Sequence, residues 1–126
     1  LSKQIFPERD VPVFHPTKGS YIRYTGKSPL NHIIYPAIIP GKIEERVDAT
    51  PDLGGNLRFG PNVETPKSLE DFEMADDLVR RMLPGIQRYL PDIDTSRLHL
   101  DLAGIRPKIY GPGDAVEDFR FDWFCC

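Results

Sequence analysis

Cysteine is almost missing from this sequence: the only two, Cys125 and Cys126, are adjacent at the chain end, where they close no loop of useful size. A disulfide framework is thereby excluded, and a reduced, cytoplasmic chain is the expectation. No polybasic stretch accompanies the pair to suggest a lipid anchor. No apolar run approaches the roughly 18 residues of a membrane span. The longest, Ile33 to Ile39, is broken by Pro36, and Leu1-Ser-Lys-Gln-Ile-Phe-Pro7 lacks the apolar core of a signal peptide. A basic excess is also lacking: the net charge is −3 and the pI about 5.6, which argues against nucleic acid as a partner. His15, His32 and His99 have no helical His-x-x-x-His or comparable spacing, so no metal site is expected. Neither a Gly-x-Ser-x-Gly elbow nor a Walker motif occurs. Gly111-Pro-Gly113 reads as a turn, because its proline removes an amide that a phosphate would use.

Proline, by contrast, is abundant. Thirteen in 126 residues is about twice the average usage, which predicts short strands, many turns and few long helices. The hydrophobic share of 40% and charged share of 28% fit a folded globular chain rather than a disordered one. Residues 1–126 read as a single domain burying roughly two-thirds of its unfolded surface. An opening on Leu1 instead of methionine suggests a processed chain or a piece of something longer.

The most informative stretch is Asp48 to Pro61. Pro51, Asp52, Gly54 and Gly55 are turn residues, and the flanking runs Lys42–Thr50 and Asn56–Phe59 read as two strands of one hairpin. Upstream, the three prolines before Lys18 mark an extended entry with one short strand at Val11–Phe14. Gly19 to Thr25 is rich in β-formers, and Asn31–Tyr35 reads as a further strand stopped by Pro36. Four strands with short connections favour an antiparallel meander.

Ser68-Leu-Glu-Asp71 has the form of a helix N-cap. Leu69, Phe72, Ala75, Val79, Met82 and Ile86 recur at helical steps, so one helix is predicted from Ser68, kinked or restarted at Pro84. Strand character returns at Leu98–Ile105. Pro107–Asp114 reads as a loop and Asp118–Trp123 as a last strand, whose bare edge offers a route to a homodimer. The fold class is therefore α+β: a largely antiparallel sheet with one or two helices on one face.

Arg58 and Arg106 each lie in an apolar strand setting that a proline ends. A guanidinium grips a carboxylate bidentately, so these two are candidates for an organic acid, against the plainer alternative of internal ion pairs. His32 and His99 also lie in strand contexts, and either serves as a general base if it faces the arginines.

Gly19-Ser-Tyr-Ile, His32-Ile-Ile-Tyr-Pro36, Ala49-Thr-Pro-Asp-Leu-Gly-Gly-Asn-Leu-Arg-Phe-Gly-Pro61 and Ala103-Gly-Ile-Arg-Pro-Lys108, in that order, resemble the substrate domain of FAD-dependent oxidoreductases of the D-amino-acid oxidase and glycine oxidase type. The nearest branch acts on 2-hydroxy acids such as L-2-hydroxyglutarate. The resemblance implies a sheet lying over the flavin ring, FAD held by a separate Rossmann-type domain, and hydride transfer from the substrate α-carbon. It places the carboxylate-gripping arginine at Arg106; Arg58, Tyr35 and His32 are the further pocket residues expected beside it, with His32 as the catalytic candidate. The chain departs from the family pattern at Val47-Asp48, where a histidine is usual in place of the acid, and at Phe121–Cys126. Without a Gly-x-Gly-x-x-Gly unit the expectation is a substrate-domain fragment, inactive alone, whose missing partner is the FAD-binding domain. The alternative is a stand-alone module that binds a small carboxylate or a protein.

Overall fold

A computed structural model describes residues 12–37, 46–111 and 114. The expected strand at Asp118–Trp123 with its edge, the Cys125–Cys126 pair and the first part of the Lys42–Thr50 strand lie outside the described residues. Four strands form one sheet: β1 (His15–Tyr24), β2 (Ala49–Pro51), β3 (Leu57–Phe59) and β4 (Leu98–Lys108), in the spatial order β2-β3-β1-β4 with every pair antiparallel. One helix, α1 (Leu78–Gln87), and a 3₁₀ turn at Thr95–Arg97 complete the elements. The α+β architecture follows the sequence expectation.

The hairpin at residues 49–59 forms as its turn residues dictate. Asp52 accepts from the Asn56 backbone N–H at 2.9 Å and from its amide group, while Gly55 takes φ +81°. The order of the sheet, however, is not a simple meander. Asn31–Tyr35 yields only one bridge, Ile34 to Ala49, at the outer side of β2, where Ile33 and Tyr35 remain exposed. Pro29 and Pro36 bracket the run too closely for a longer ladder. The chain therefore returns through β2 and β3 to one side of β1, and β4 takes the other. No strand occurs at residues 12–14.

Two further expectations are corrected. Residues 68–77 are not helical, and Leu69 and Phe72 are exposed. The cause is tertiary: Asp71, instead of facing solvent in a first turn, accepts from the Lys67 backbone N–H at 2.9 Å and from Lys18 Nζ of β1 at 3.2 Å. Lys18, itself buried, also donates to the Glu73 carbonyl at 2.8 Å, so the segment is tied down as turns. Pro84, secondly, does not start a second helix: it lies inside the single helix Leu78–Gln87. Its side is exposed, so the Arg80 carbonyl left without its helical N–H lies toward water.

The core follows from strand alternation. Ile22, Leu57, Phe59, Ala49 and Leu98 point to one face of the sheet and meet Leu78, Met82 and Ile86 of α1, spaced four residues apart. The opposite face carries no helix among the described residues. That face holds the arginines.

Candidate functional site

Cross-strand partners point to the same side of a sheet, so register alone lays out the open face. On β1 the even residues Lys18, Ser20 and Ile22 are buried, and Thr17 and Arg23 face the other way. Arg58 of β3 stands opposite Arg23, and Arg106 of β4 opposite Thr17. Both sequence-predicted arginines therefore share the open face. They are six register positions apart along β1, roughly 20 Å at ~3.3 Å per residue. One carboxylate cannot be gripped by both at that separation.

Around Arg106 the described residues leave the surface open. Its side chain is exposed and has no hydrogen-bond or ion-pair partner among the described residues. A Cβ added at Gly104, two positions away on the same face, would meet nothing within 4 Å. Thr17, directly opposite Arg106, has a buried hydroxyl with no partner. Beyond it His15 and Lys108 pair across the strands, and the Lys108 ammonium lies 5.5 Å from the Tyr110 ring.

Arg58 sits in a different setting. Its guanidinium is ion-paired with Asp101 of β4, whose carboxylate reaches across β1. That reach depends on an irregularity in β4. Tyr21 is opposite Leu102 and Ile22 opposite Leu100, so Asp101 is the extra residue of a bulge. Arg58, Arg23, Asp101, Tyr21 and Tyr24 line a hollow of about 720 Å³.

His32 and Tyr35 are not brought to either arginine. His32 is exposed in the bend before Ile34, outside β2, with the width of the sheet between it and Arg106. Tyr35 is exposed, and its ring lies 5.7 Å from the Arg46 guanidinium. Arg46 in turn stands 3.2 Å from Asp48. Burial pushes the Asp48 carboxyl above the ordinary carboxylate range, and the nearby Arg46 charge only partly offsets this. Tyr89 donates to the Val47 carbonyl at 3.0 Å; its own burial and then the Asp48 charge hold its phenol well above the usual range.

Sequence reasoning passed over Arg23 and Asp101, although a signal was present. Tyr21-Ile-Arg-Tyr24 alternates, which puts Arg23 on the solvated face, and Leu98-His-Leu-Asp-Leu102 does the same for His99 and Asp101. The bulge that turns Leu102 to the open face left no mark in that pattern.

The profile of the FAD-dependent oxidoreductase family matches residues 1–122. The chain belongs to that family. The mitochondrial L-2-hydroxyglutarate dehydrogenase of Arabidopsis thaliana is 32% identical over 122 residues, which covers 88% of this chain and 25% of that protein. The chain thus spans about a quarter of the length of this curated relative.

Family membership gives the motif strings a structural reading. In Leu57-Arg-Phe-Gly-Pro61, Leu57 and Phe59 enter the core, Arg58 faces outward, and Gly60 passes so close to β1 that a Cβ would lie 2.9 Å from the Ser20 carbonyl oxygen. In Gly104-Ile-Arg-Pro107, Ile105 turns to the helix side while Gly104 and Arg106 take the open one. No helix among the described residues is long and apolar enough to cross a membrane.

Proposed function

We propose that this chain is the substrate side of an FAD-dependent oxidoreductase acting on a 2-hydroxy acid such as L-2-hydroxyglutarate, with Arg106 as the group that grips the substrate carboxylate. The observation that carries this reading is the setting of Arg106: an exposed guanidinium with no partner among the described residues, beside a glycine with nothing within 4 Å of its Cβ position. Support also comes from the related dehydrogenase, whose name states its acid.

The residues in hand do not fit as the holder of the dinucleotide. The described sheet is wholly antiparallel, without a parallel strand-turn-helix crevice, and no Gly-x-Gly-x-x-Gly run occurs in the sequence. An FAD held outside the described residues would supply the hydride acceptor. This chain's part is to bind and orient: a bidentate pair fixes the plane of the carboxylate and with it the direction of the α-carbon hydrogen. His32 and Tyr35 stand across the sheet from Arg106, so the proposal rests on Arg106 alone.

Isothermal titration of the chain with L-2-hydroxyglutarate tests it. Binding that Arg106→Ala weakens at least tenfold is the expected outcome; equal binding by both proteins overturns the assignment. The alternative, a carboxylate-binding module without redox chemistry, shares Arg106 but differs in a second measurement. Turnover of the acid, once a dinucleotide-binding partner chain and FAD are supplied, favours the oxidoreductase. Acid binding with no turnover under that condition favours the module.

A further inference from the structure

A single lateral row crosses all four strands on the open face: Thr50 of β2, Arg58 of β3, Arg23 of β1 and His99 of β4, each opposite the next. Two arginines directly across an antiparallel pair repel each other, an arrangement that folding alone disfavours. Only one of them is compensated: Asp101 neutralises Arg58, whereas Arg23 is exposed with no partner among the described residues. Asp101 occupies its position because of a bulge, so the carboxylate that meets Arg58 is a local device and not a product of regular pairing. The hollow lies over the Thr50, Arg58 and Arg23 part of the row, with Asp52 and Asp101 also in its lining; it has the size of a small-molecule site, and Tyr21 and Leu102 give it an apolar wall.

We propose that the Arg58–Arg23 pair is a second oxyanion site, separate from Arg106, which takes the carboxylate or phosphate of a ligand whose apolar part lies against Tyr21 and Leu102. Asp101 acts there as an internal anion that shares Arg58 with the ligand. The roughly 20 Å along β1 between this row and Arg106 means that the two sites hold different anionic groups. The proposal does not depend on the identity of the acid at Arg106.

The test uses the chain itself in low-salt buffer, titrated with inorganic phosphate and, separately, with glutarate, read by the arginine side-chain N–H resonances. Saturable shifts at Arg23 and Arg58 below about 10 mM are expected, weakened with added chloride as screening grows. Arg23→Gln is expected to weaken binding at least fivefold. Asp101→Asn, which removes the competing carboxylate, is expected to tighten it several-fold, a gain that no purely structural role for Asp101 produces. Arg106→Gln should leave this binding unchanged, which separates failure here from failure at Arg106.

Tighter phosphate than glutarate identifies a phosphate-bearing ligand, and the reverse order a dicarboxylate. No saturation by either anion, full binding in Arg23→Gln, or loss of it in Arg106→Gln overturns the proposal. Should Asp101→Asn fail to fold, Arg23→Gln decides alone, since it removes an exposed like-charge contact.

Discussion

Three glycine-to-alanine substitutions separate what close packing demands from what backbone conformation demands. Gly60 takes φ +127°, a region that L side chains rarely enter, at a cost of about 1–3 kcal/mol. Its Cβ would also lie 2.9 Å from the Ser20 carbonyl oxygen and 3.3 Å from Tyr21 Cα, both backbone atoms that no side-chain rotation can move. Together these place Gly60→Ala at about 3–4 kcal/mol of lost stability, a large share of the roughly 5–15 kcal/mol of a typical domain. Gly55, at φ +81° in the hairpin turn, has nothing within 4 Å of its Cβ position, so only the conformational part of about 1 kcal/mol applies. Gly104 has neither a positive φ nor a neighbour, and Gly104→Ala should fall within about 0.5 kcal/mol of the parent protein or exceed it. Urea unfolding at 25 °C, followed by far-UV circular dichroism, measures all three. The order Gly60 much worse than Gly55, and Gly55 worse than Gly104, is the expected result. If Gly60→Ala cost no more than Gly55→Ala, the close approach of residue 60 to β1, and with it the register that sets Arg58 opposite Arg23, would be wrong.

Met82, fully buried between Leu78 and Ile86, should cost about 2–5 kcal/mol when cut to alanine, read as a lower urea midpoint at unchanged slope. Asp48 has a folded-state pKa raised by burial, so the folded chain binds its proton more tightly than the unfolded one, and its contribution worsens as pH rises above the unfolded value of 3.8. Asp48→Asn should therefore match or exceed the parent in thermal midpoint at pH 7, with the advantage shrinking as pH falls toward 4; an advantage that grows on acidification would contradict the burial argument. Gly104→Leu should leave the thermal midpoint unchanged while abolishing acid binding at Arg106, because the added side chain fills the open space beside it. Unchanged titration with L-2-hydroxyglutarate would move the substrate site elsewhere.

Local chemistry was legible in the sequence wherever one or two residues decide the backbone. The 49–59 hairpin follows from Asp52 and Gly55, the outward side of Arg58 from alternation within three residues, and the buried face of α1 from four-residue spacing. The family was legible too, and its match spans residues 1–122. Tertiary structure alone decided the rest. Whether residues 68–77 become helix turned on Asp71 meeting Lys18, a partner 53 positions away that no local pattern contains. Strand order turned on which side of β1 each later strand found free, and the setting of Arg58 turned on one bulged residue, Asp101. Periodicity and turn residues act through neighbours in the chain, whereas register and buried charge pairing depend on groups that only the folded sheet brings together.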